Sequence, residues 1–315
     1  MKDLRIVFMG TPGFAVGVLH TLVENGATIV GVITVPDKPA GRGRKLRPSA
    51  VKEYALEQDL KILQPTNLKN EDFLTELAEL EADLQIIVAF RMLPKLVWAM
   101  PIYGTFNLHA SLLPQYRGAA PINWAIMNGE TKTGVTTFFI DEKIDTGAIL
   151  FSSEVGIASR ETVGSLHDKL MTEGSDLVLK TVLAISEGTA LPIAQPMTGS
   201  LKEAPKLNAL NTRIDWNQDP EPIDAFVRGL SPYPVAWTEL RNEGHILKVK
   251  IYVTDFLNEC HEEEIGSITS SKKELKVAVQ NGYIYIKELQ MPGKRKMDII
   301  SLINGFDFGN DSKMM

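Results

Sequence analysis

The chain has 315 residues, a formal net charge of -6, one cysteine and a hydrophobic fraction of 44%. At roughly 150 residues per domain this length favours two domains, and the balanced composition excludes a disordered, collagen-like or coiled-coil protein. The net charge excludes a protein that holds polyanions by bulk charge alone, and the lone Cys260 forms neither an internal disulfide nor a thiolate metal cluster. We therefore expect a cytoplasmic protein in a reducing compartment.

Residues 6–23 form an uncharged run that is close to the length of a membrane span. Turn-forming residues at 10–13 divide this run into a short β-branched piece and a helix-like piece, and neither is long enough to cross a bilayer. No Arg-rich transit segment precedes the run, so we expect no membrane partner and a fold that begins at residue 1.

Short apolar runs alternate with segments of helical periodicity over the first part of the chain. Wholly apolar strands between helices are typical of an α/β fold whose mostly parallel sheet is buried on both faces. Such sheets bind ligands beyond the carboxyl ends of their strands, where we expect the active site. The predicted strands are 4–9, 28–35, 84–90, 104–108, 134–140 and 148–157, and the predicted helices are 14–23, 49–59, 71–81 and 163–186.

The composition changes after residue 188, where several glycines and prolines occur without periodicity and indicate an ordered linker. A helix at 222–230 and then alternating strands follow, which predict a small all-β barrel. These strands are predicted at 236–240, 246–254, 267–269, 274–280 and 283–289. The resulting division is a first domain over 1–189, a linker over 190–207 and a second domain over 208–315.

A glycine turn, Gly10-Thr11-Pro12-Gly13, follows the first predicted strand. Its spacing differs from the dinucleotide-binding fingerprint, and Pro12 lacks the backbone N–H that a pyrophosphate would bind. The turn therefore argues against a nicotinamide cofactor. Taken alone, it is best explained as a tight strand-to-helix connection without a ligand.

Asn107 and His109 are two residues apart near the carboxyl end of a predicted strand, so their side chains project from the same face. A neutral imidazole accepts a proton at pH 7, and an Asn amide donates a hydrogen bond to a carbonyl oxygen that gains negative charge. The pair suits acyl-group transfer. The alternative is a structural histidine with an Asn turn cap.

Asp145 follows the predicted strand 134–140 across a polar loop, and we expect it at the same ligand-bearing edge. There it would orient His109 and stabilise its positive charge, or take up the proton through water. An Asx-type turn before Gly147 is the alternative. The other histidines lack zinc-site spacing, so we expect no metal and no covalent intermediate.

The segment from Pro36 to Lys52 contains six basic residues and one acidic residue, against the acidic average of the chain. Its glycines and prolines predict a loop, and a cationic loop at the sheet edge is able to clamp phosphates. A solvated surface run is the alternative. Residues from 206 onward carry 14 Lys+Arg and 16 Asp+Glu, so the second domain has no strong nucleic-acid signal beyond Lys294-Arg295-Lys296.

Several motifs occur in one characteristic order along the chain. They are Gly10-Thr11-Pro12 with Phe14-Ala15, the basic segment around Arg42, Ser111-Leu112-Leu113-Pro114 with Arg117-Gly118-Ala119, and Asp145-Thr146-Gly147. In this order the chain resembles the methionyl-tRNA formyltransferases, of the family that uses 10-formyltetrahydrofolate, and the resemblance spans its whole length. It implies a Rossmann-like formyltransferase domain followed by an OB-like tRNA-binding barrel.

The resemblance also implies roles for individual residues. Asn107, His109 and Asp145 match the catalytic residues of the family. The pocket for the formyl donor, 10-formyltetrahydrofolate, is implied under the carboxyl ends of the strands. Its residues would be Phe14, Phe90, Met92, Leu93, Ser111, Leu112, Leu113, Pro114 and Ile140.

The basic segment is similar to the family's insertion that contacts the acceptor arm of initiator methionyl-tRNA, which implies tRNA-binding roles for Lys38, Arg42, Arg44, Lys45 and Arg47. We expect a monomer that formylates this tRNA. One alternative is a related formyltransferase with a small acceptor, such as an amino-sugar nucleotide or glycinamide ribonucleotide. The other is a non-catalytic RNA-binding protein.

Overall fold

The computed structural model describes residues 4–40, 45–196, 199–309 and 311–315. They divide into two compact units, each assembled from separate stretches of chain. The first unit comprises Met1–Gly118, Thr133–Val155 and His167–Glu203, and the second comprises Ala119–Lys132, Gly156–Leu166 and Ala204–Met315. The continuous boundaries at 189 and 208 stay a prediction. Within the described ranges, no helix is both long and apolar enough to cross a membrane.

The elements up to residue 204 follow the predicted alternation, and each predicted strand and helix is present with its ends within two residues of the expected positions. In chain order they are β1 (Arg5–Gly10), α1 (Gly13–Glu24), β2 (Thr28–Ile33), β3 (Lys38–Ala40), β4 (Lys45–Arg47), α2 (Ala50–Glu57), β5 (Ile62–Leu63), α3 (Glu71–Glu79), β6 (Leu84–Val88), α4 (Lys95–Trp98), β7 (Thr105–His109), β8 (Arg117–Gly118), α5 (Pro121–Met127), β9 (Lys132–Phe139), β10 (Ile149–Gly156), α6 (Val163–Glu187) and β11 (Glu203–Ala204).

The sheet of the first unit has the strand order β10-β9-β7-β6-β1-β2-β5. β1 pairs in parallel with β2 and β6, and β6 pairs in parallel with β7, whereas β7 and β9 are antiparallel. The predicted α/β architecture with a mostly parallel sheet is therefore confirmed. The carboxyl ends of β1, β6 and β7, at Gly10, Val88 and His109, share one edge.

Gly10 makes the turn from β1 into α1 possible. A Cβ atom at this position would lie 2.6 Å from the Ala15 Cβ and 3.2 Å from the Val88 carbonyl oxygen. Only a residue without a side chain lets the start of α1 approach the strand this closely. The turn is thus the tight strand-to-helix connection that its residues predicted.

The basic segment was expected as a loop, but its described part is regular structure. β3 and β4 form an antiparallel pair in which Lys38 lies opposite Arg47. Residues 41–44, including Arg42 and Arg44, lie outside the described residues. Pro39 has no backbone N–H to donate. It is tolerated because both strands of this two-stranded ribbon are edge strands, so no hydrogen bond is lost from the interior of a sheet.

The second unit holds an antiparallel sheet with the order β14-β15-β16-β13-β12-β18, to which β17 adds at β16. A bridge between Ser267 and Lys313, next to the two outermost strands, nearly closes this sheet into a barrel. The predicted OB-like barrel is confirmed. From residue 205 its elements are α7 (Pro220–Leu230), β12 (Ala236–Asn242), β13 (His245–Asn258), β14 (Ile268–Ser270), β15 (Leu275–Val279), β16 (Gly282–Gln290), β17 (Met297–Asp298), α8 (Ile299–Ile303) and β18 (Lys313–Met314).

A buried carboxylate ties α7 to its surroundings within the second unit. The Asp224 side chain is 1% exposed and accepts hydrogen bonds from Arg228 Nε at 2.7 Å, Arg160 Nη1 at 2.9 Å and Thr254 Oγ1 at 2.8 Å. Because a buried carboxylate is stable only when it is paired and hydrogen-bonded, this network is a constraint on the unit.

We predict that Asp224→Ala lowers the free energy of unfolding by about 3 kcal/mol, because the half-buried Arg228 and the Thr254 hydroxyl both lose this partner. Urea denaturation checks this value. Asp255→Ala is the matched control: Asp255 lies 3.9 Å from the same Arg160 but is 59% exposed, so its loss should change stability by at most about 0.5 kcal/mol. Equal effects of the two substitutions would contradict the network's role.

Candidate functional site

β7 places Asn107 and His109 near its carboxyl end, at one edge of the sheet of the first unit. β7 lies between β6 and β9, and His109 is buried, with 6% exposure. The ring of Phe138, on β9, packs edge-on against the imidazole with 6.5 Å between centroids. The imidazole is therefore held in one orientation by an apolar wall.

One hydrogen bond decides which nitrogen of His109 is basic. His109 Nε2 lies 2.8 Å from the carbonyl oxygen of Tyr116. A carbonyl only accepts hydrogen bonds, so Nε2 carries the proton and donates it. In the neutral imidazole the lone pair then resides on Nδ1, and Nδ1 is the atom that accepts a proton.

Asp145 lies beside His109, but not because its preceding strand ends at the same edge. β9 runs antiparallel to β7, so its last residue, Phe139, pairs with Phe106 and lies away from His109. Asp145 was expected at this edge after a polar loop, and that loop has to return from the opposite end of β7, where β9 ends. The segment between β9 and β10 folds back and places Asp145 Oδ2 3.8 Å from His109 Nδ1.

The Asp145 carboxylate is fixed by its backbone and by a partner. Asp145 has a φ of 55°, in the left-handed region that non-glycine residues seldom adopt. Its Oδ2 accepts a hydrogen bond of 2.9 Å from the Gly118 N–H, and its side chain is 13% exposed. The Asx-type turn considered for this residue is formed by Asp141 instead, whose Oδ1 accepts from the Lys143 N–H at 2.9 Å.

Gly147 allows the turn at residues 145–147 to lie in close contact with the end of β9. A Cβ atom there would lie 1.6 Å from the Phe139 carbonyl oxygen, a distance that no other residue could accommodate. The glycine of the Asp145-Thr146-Gly147 motif is thus a steric requirement of the turn that presents the carboxylate.

Asn107 contributes a buried polar atom that lacks a partner. Its Oδ1 is inaccessible to solvent and has no hydrogen bond among the described residues. Buried side-chain acceptors are usually satisfied, and this oxygen, two residues from His109, is an exception to that rule. The alternative of an Asn turn cap does not fit, because Asn107 lies inside β7.

The segment from Ser111 to Pro114 shapes the space after His109. Thr136 Oγ1 donates to the Ser111 carbonyl oxygen at 2.7 Å, and Ser111 Oγ donates to the Gln115 carbonyl oxygen at 2.6 Å. Ser111 and Leu113 are buried, and Leu112 packs against the backbone at Gly134. Contact of these residues with folate stays a prediction.

The other predicted folate residues fall into two groups. Phe90, Leu93 and Ile140 belong to one apolar cluster on a face of the sheet, and Met92 next to them is 69% exposed. Phe14 is separate from that cluster: it is buried at the start of α1, with its ring 5.3 Å from the His167 ring. Their contact with folate also stays a prediction.

Gln195 and Arg117, to which the sequence assigned no individual role, form a hydrogen-bonded pair beside the turn at residues 145–147. Gln195, which is 8% exposed, donates from Nε2 to the carbonyl oxygens of Asp145 at 2.9 Å and Gly147 at 2.8 Å. Its Oε1 accepts from Arg117 Nη2 at 2.6 Å. Gln195 lies in the predicted linker, and its partners are 48 to 78 positions away along the chain. No local pattern could therefore indicate these contacts.

Only some of the predicted tRNA-contacting residues lie within the described part of the structure. Lys38 and Arg47 are exposed on the hairpin of β3 and β4. Lys52, at the end of the basic segment, pairs with Asp37 at 2.7 Å, and this hydrogen bond lowers the pKa of the Asp37 carboxyl. The described residues contain no group of three or more His, Cys, Asp or Glu side chains that could hold a metal ion.

Cations lie against aromatic rings on the barrel of the second unit. Lys248 Nζ lies 3.7 Å above the Trp237 ring, and Arg213, which pairs with Glu239 at 2.7 Å, lies 5.5 Å from the same ring. Burial and the carboxylates of Glu274, Glu259 and Asp255 raise the pKa of Tyr285, whose ring lies 5.3 Å from Lys287 Nζ. Charges of both signs are therefore mixed around these rings.

Comparison with known proteins agrees with the two-part organisation. The formyl transferase family model matches residues 4–182, and the model for the formyl transferase C-terminal domain matches residues 206–307. A curated relative from Flavobacterium johnsoniae, named methionyl-tRNA formyltransferase, is 56% identical over 314 residues, which cover 100% of both chains.

Solved structures share the fold at low sequence identity. An N-formyltransferase from Helicobacter canadensis superposes with a TM-score of 0.67 at 21% identity, covering 93% of this chain and all of that one. A variant of HypX from Aquifex aeolicus superposes with a TM-score of 0.65 at 18% identity, and the match covers 98% of this chain but about half of HypX, 49%. From its two domain matches and its full-length relative, the chain belongs to the formyl transferase family.

Proposed function

We propose that this formyltransferase moves the formyl group of 10-formyltetrahydrofolate to the α-amino group of initiator methionyl-tRNA. The observation that carries the proposal is the full-length relative of 56% identity whose name states this activity. The juxtaposition of His109, Asp145 and Asn107 supplies the chemistry that such a transfer requires.

The residues at the edge of the sheet fit a folate as formyl donor. Phe90, Leu93 and Ile140 belong to an apolar cluster of the kind against which a flat ring packs, and the Asn107 amide lies on β7, two residues from His109. When bound, 10-formyltetrahydrofolate supplies an electrophilic formyl carbon. Folate-bound neighbours of this fold support a donor of this class.

In this proposal His109 is the general base. Its Nδ1 takes a proton from the α-amine as the new N–C bond forms, while the Tyr116 carbonyl holds the opposite nitrogen. His109 then returns the proton to the nitrogen from which the formyl group leaves, so the imidazole ends the reaction neutral.

Asp145 and Asn107 stabilise the charges that develop during the transfer. The Asp145 carboxylate, 3.8 Å from Nδ1, stabilises the imidazolium while His109 holds the proton. The amide of Asn107 donates from Nδ2 to the formyl oxygen as that oxygen gains negative charge. Both interactions are prepared before the reaction, so little reorganisation is needed.

A nucleotide-linked amino sugar is the rival acceptor, since the neighbour from Helicobacter canadensis was solved with folinic acid and dTDP-3-aminofucose. The exposed cations of the β3–β4 hairpin favour a larger polyanion instead. We predict that labelled 10-formyltetrahydrofolate gives acid-stable label on initiator methionyl-tRNA. Elongator methionyl-tRNA and an amino-sugar nucleotide should stay unlabelled, and label on the sugar alone would overturn the acceptor.

Removal of either His109 or Asp145 should abolish most turnover. We predict that His109→Ala and Asp145→Ala each lower kcat at least ~100-fold, because proton transfer and charge stabilisation are both lost. Single-turnover formyl transfer measures the effect. His20→Ala is the control, since His20 is an exposed histidine bonded to Tyr54, and it should change kcat by no more than about twofold. A near-normal rate for His109→Ala would refute the assignment.

The hairpin should act on tRNA affinity rather than on chemistry. We predict that Arg47→Ala weakens tRNA binding and reduces the slope of log Kd against log salt by about one unit, because one phosphate contact is lost. Lys69→Ala, at another exposed cation of the first unit, should leave the slope unchanged. A salt titration of both variants checks this, and an unaltered slope for Arg47→Ala would make the hairpin cations mere surface charge.

A further inference from the structure

Gln195 joins the two segments that hold the reacting side chains. One segment, residues 116–118, supplies the carbonyl that fixes His109 and the Gly118 N–H that fixes Asp145. The other is the turn at 145–147 that presents the carboxylate. The Gln195 amide bonds both: its nitrogen donates to the turn, and its oxygen accepts from Arg117.

Both ends of the Gln195 side-chain amide have hydrogen-bond partners. Nε2 has two hydrogens, and they go to the Asp145 and Gly147 carbonyl oxygens; Oε1 accepts from both Nε and Nη2 of Arg117, at 3.2 and 2.6 Å. A bidentate, charge-assisted bond on one end and a paired donor on the other define the amide's position closely. Gln195 thus sets the distance between the two segments.

The strand beside the turn anchors Gln195 in its own place. Ile193, two residues earlier, exchanges backbone hydrogen bonds of 2.8 Å with Ile149 at the start of β10. Ile149 follows the turn at 145–147 by two residues. The chain around Gln195 therefore moves together with the base of the turn rather than as a free linker.

We infer that Gln195 is a positioning residue of the formyl transfer, which holds the Asp145 carboxylate against Nδ1 of His109. The inference rests on the proposed function. Asp145 has a strained backbone, with a φ of 55°, and it needs such external hydrogen bonds to keep this conformation. Gln195 does not contact the His109 ring among its described bonds, so its effect passes through Asp145.

The test compares Gln195→Met with a matched control in the full chain. Gln115 also links the 115–118 segment to the residues before 204, through the Ser200 carbonyl and the Lys202 N–H, but has no bond to the turn. We expect Gln195→Met to lower kcat roughly 100-fold, since a displacement of about 1 Å in a reacting group has this effect. KM for both substrates should change less than about threefold, because Gln195 touches neither.

Gln115→Met should leave kcat near the wild-type value and should give the same thermal unfolding midpoint as Gln195→Met. Gln195→Glu provides a second variant of native size: it keeps the acceptor for Arg117 but turns a carboxylate toward two carbonyl oxygens, so we expect it to lose as much activity as Gln195→Met. Full activity of Gln195→Glu would overturn the inference, as would equal losses in the two methionine variants.

A double-mutant cycle separates positioning from general structural damage. On an Asp145→Asn background, Gln195→Met should lower kcat by less than about threefold, because the group that it positions is already disabled. Additive losses would overturn the inference while leaving the proposed function intact. Absence of formyl transfer by the unsubstituted chain would overturn both. A crystal structure of Gln195→Met with an unchanged distance from Asp145 Oδ2 to His109 Nδ1 would also refute positioning.

Discussion

The hydrogen bond from His109 Nε2–H to the Tyr116 carbonyl is the interaction on which the site depends. It assigns the proton to one nitrogen and the lone pair to the other, and so determines that Nδ1 faces Asp145. Without it, a neutral imidazole has no reason to prefer the tautomer that leaves Nδ1 basic. The segment carrying Tyr116 follows β7 directly, so the strand that supplies the base also leads to the group that orients it.

The rest of the site is built to bring a carboxylate to that nitrogen. β9 runs away from the site, and its connection to β10 must return across the sheet to deliver Asp145. Gly147 permits the close approach, the Gly118 N–H binds the carboxylate, and Gln195 bonds the turn from the far side. Preorganisation of this kind lowers the reorganisation that accompanies charge formation, which is the main physical advantage of an enzyme site over water.

Net charge is a poor guide to the partners of the barrel. Lys+Arg are outnumbered, 14 to 16, from residue 206 onward, yet Lys248 lies directly over the Trp237 ring. Because salt screens charges beyond about 10 Å, a partner responds to the nearest charges rather than to the sum.

Local pattern was sufficient for the longer elements but not for β3 and β4, which were expected as a loop. Apolar runs with period 2 or 3.6 predicted the longer strands and helices of both parts, and the spacing of Asn107 and His109 within one strand predicted their common face. Tertiary structure decided the antiparallel direction of β9, the basic nitrogen of His109, the orphan oxygen of Asn107 and the contacts of Gln195. Hydrophobic periodicity indicates which side of an element is buried, but not which distant backbone carbonyl or N–H a side chain contacts. Those partners are determined only by the tertiary fold.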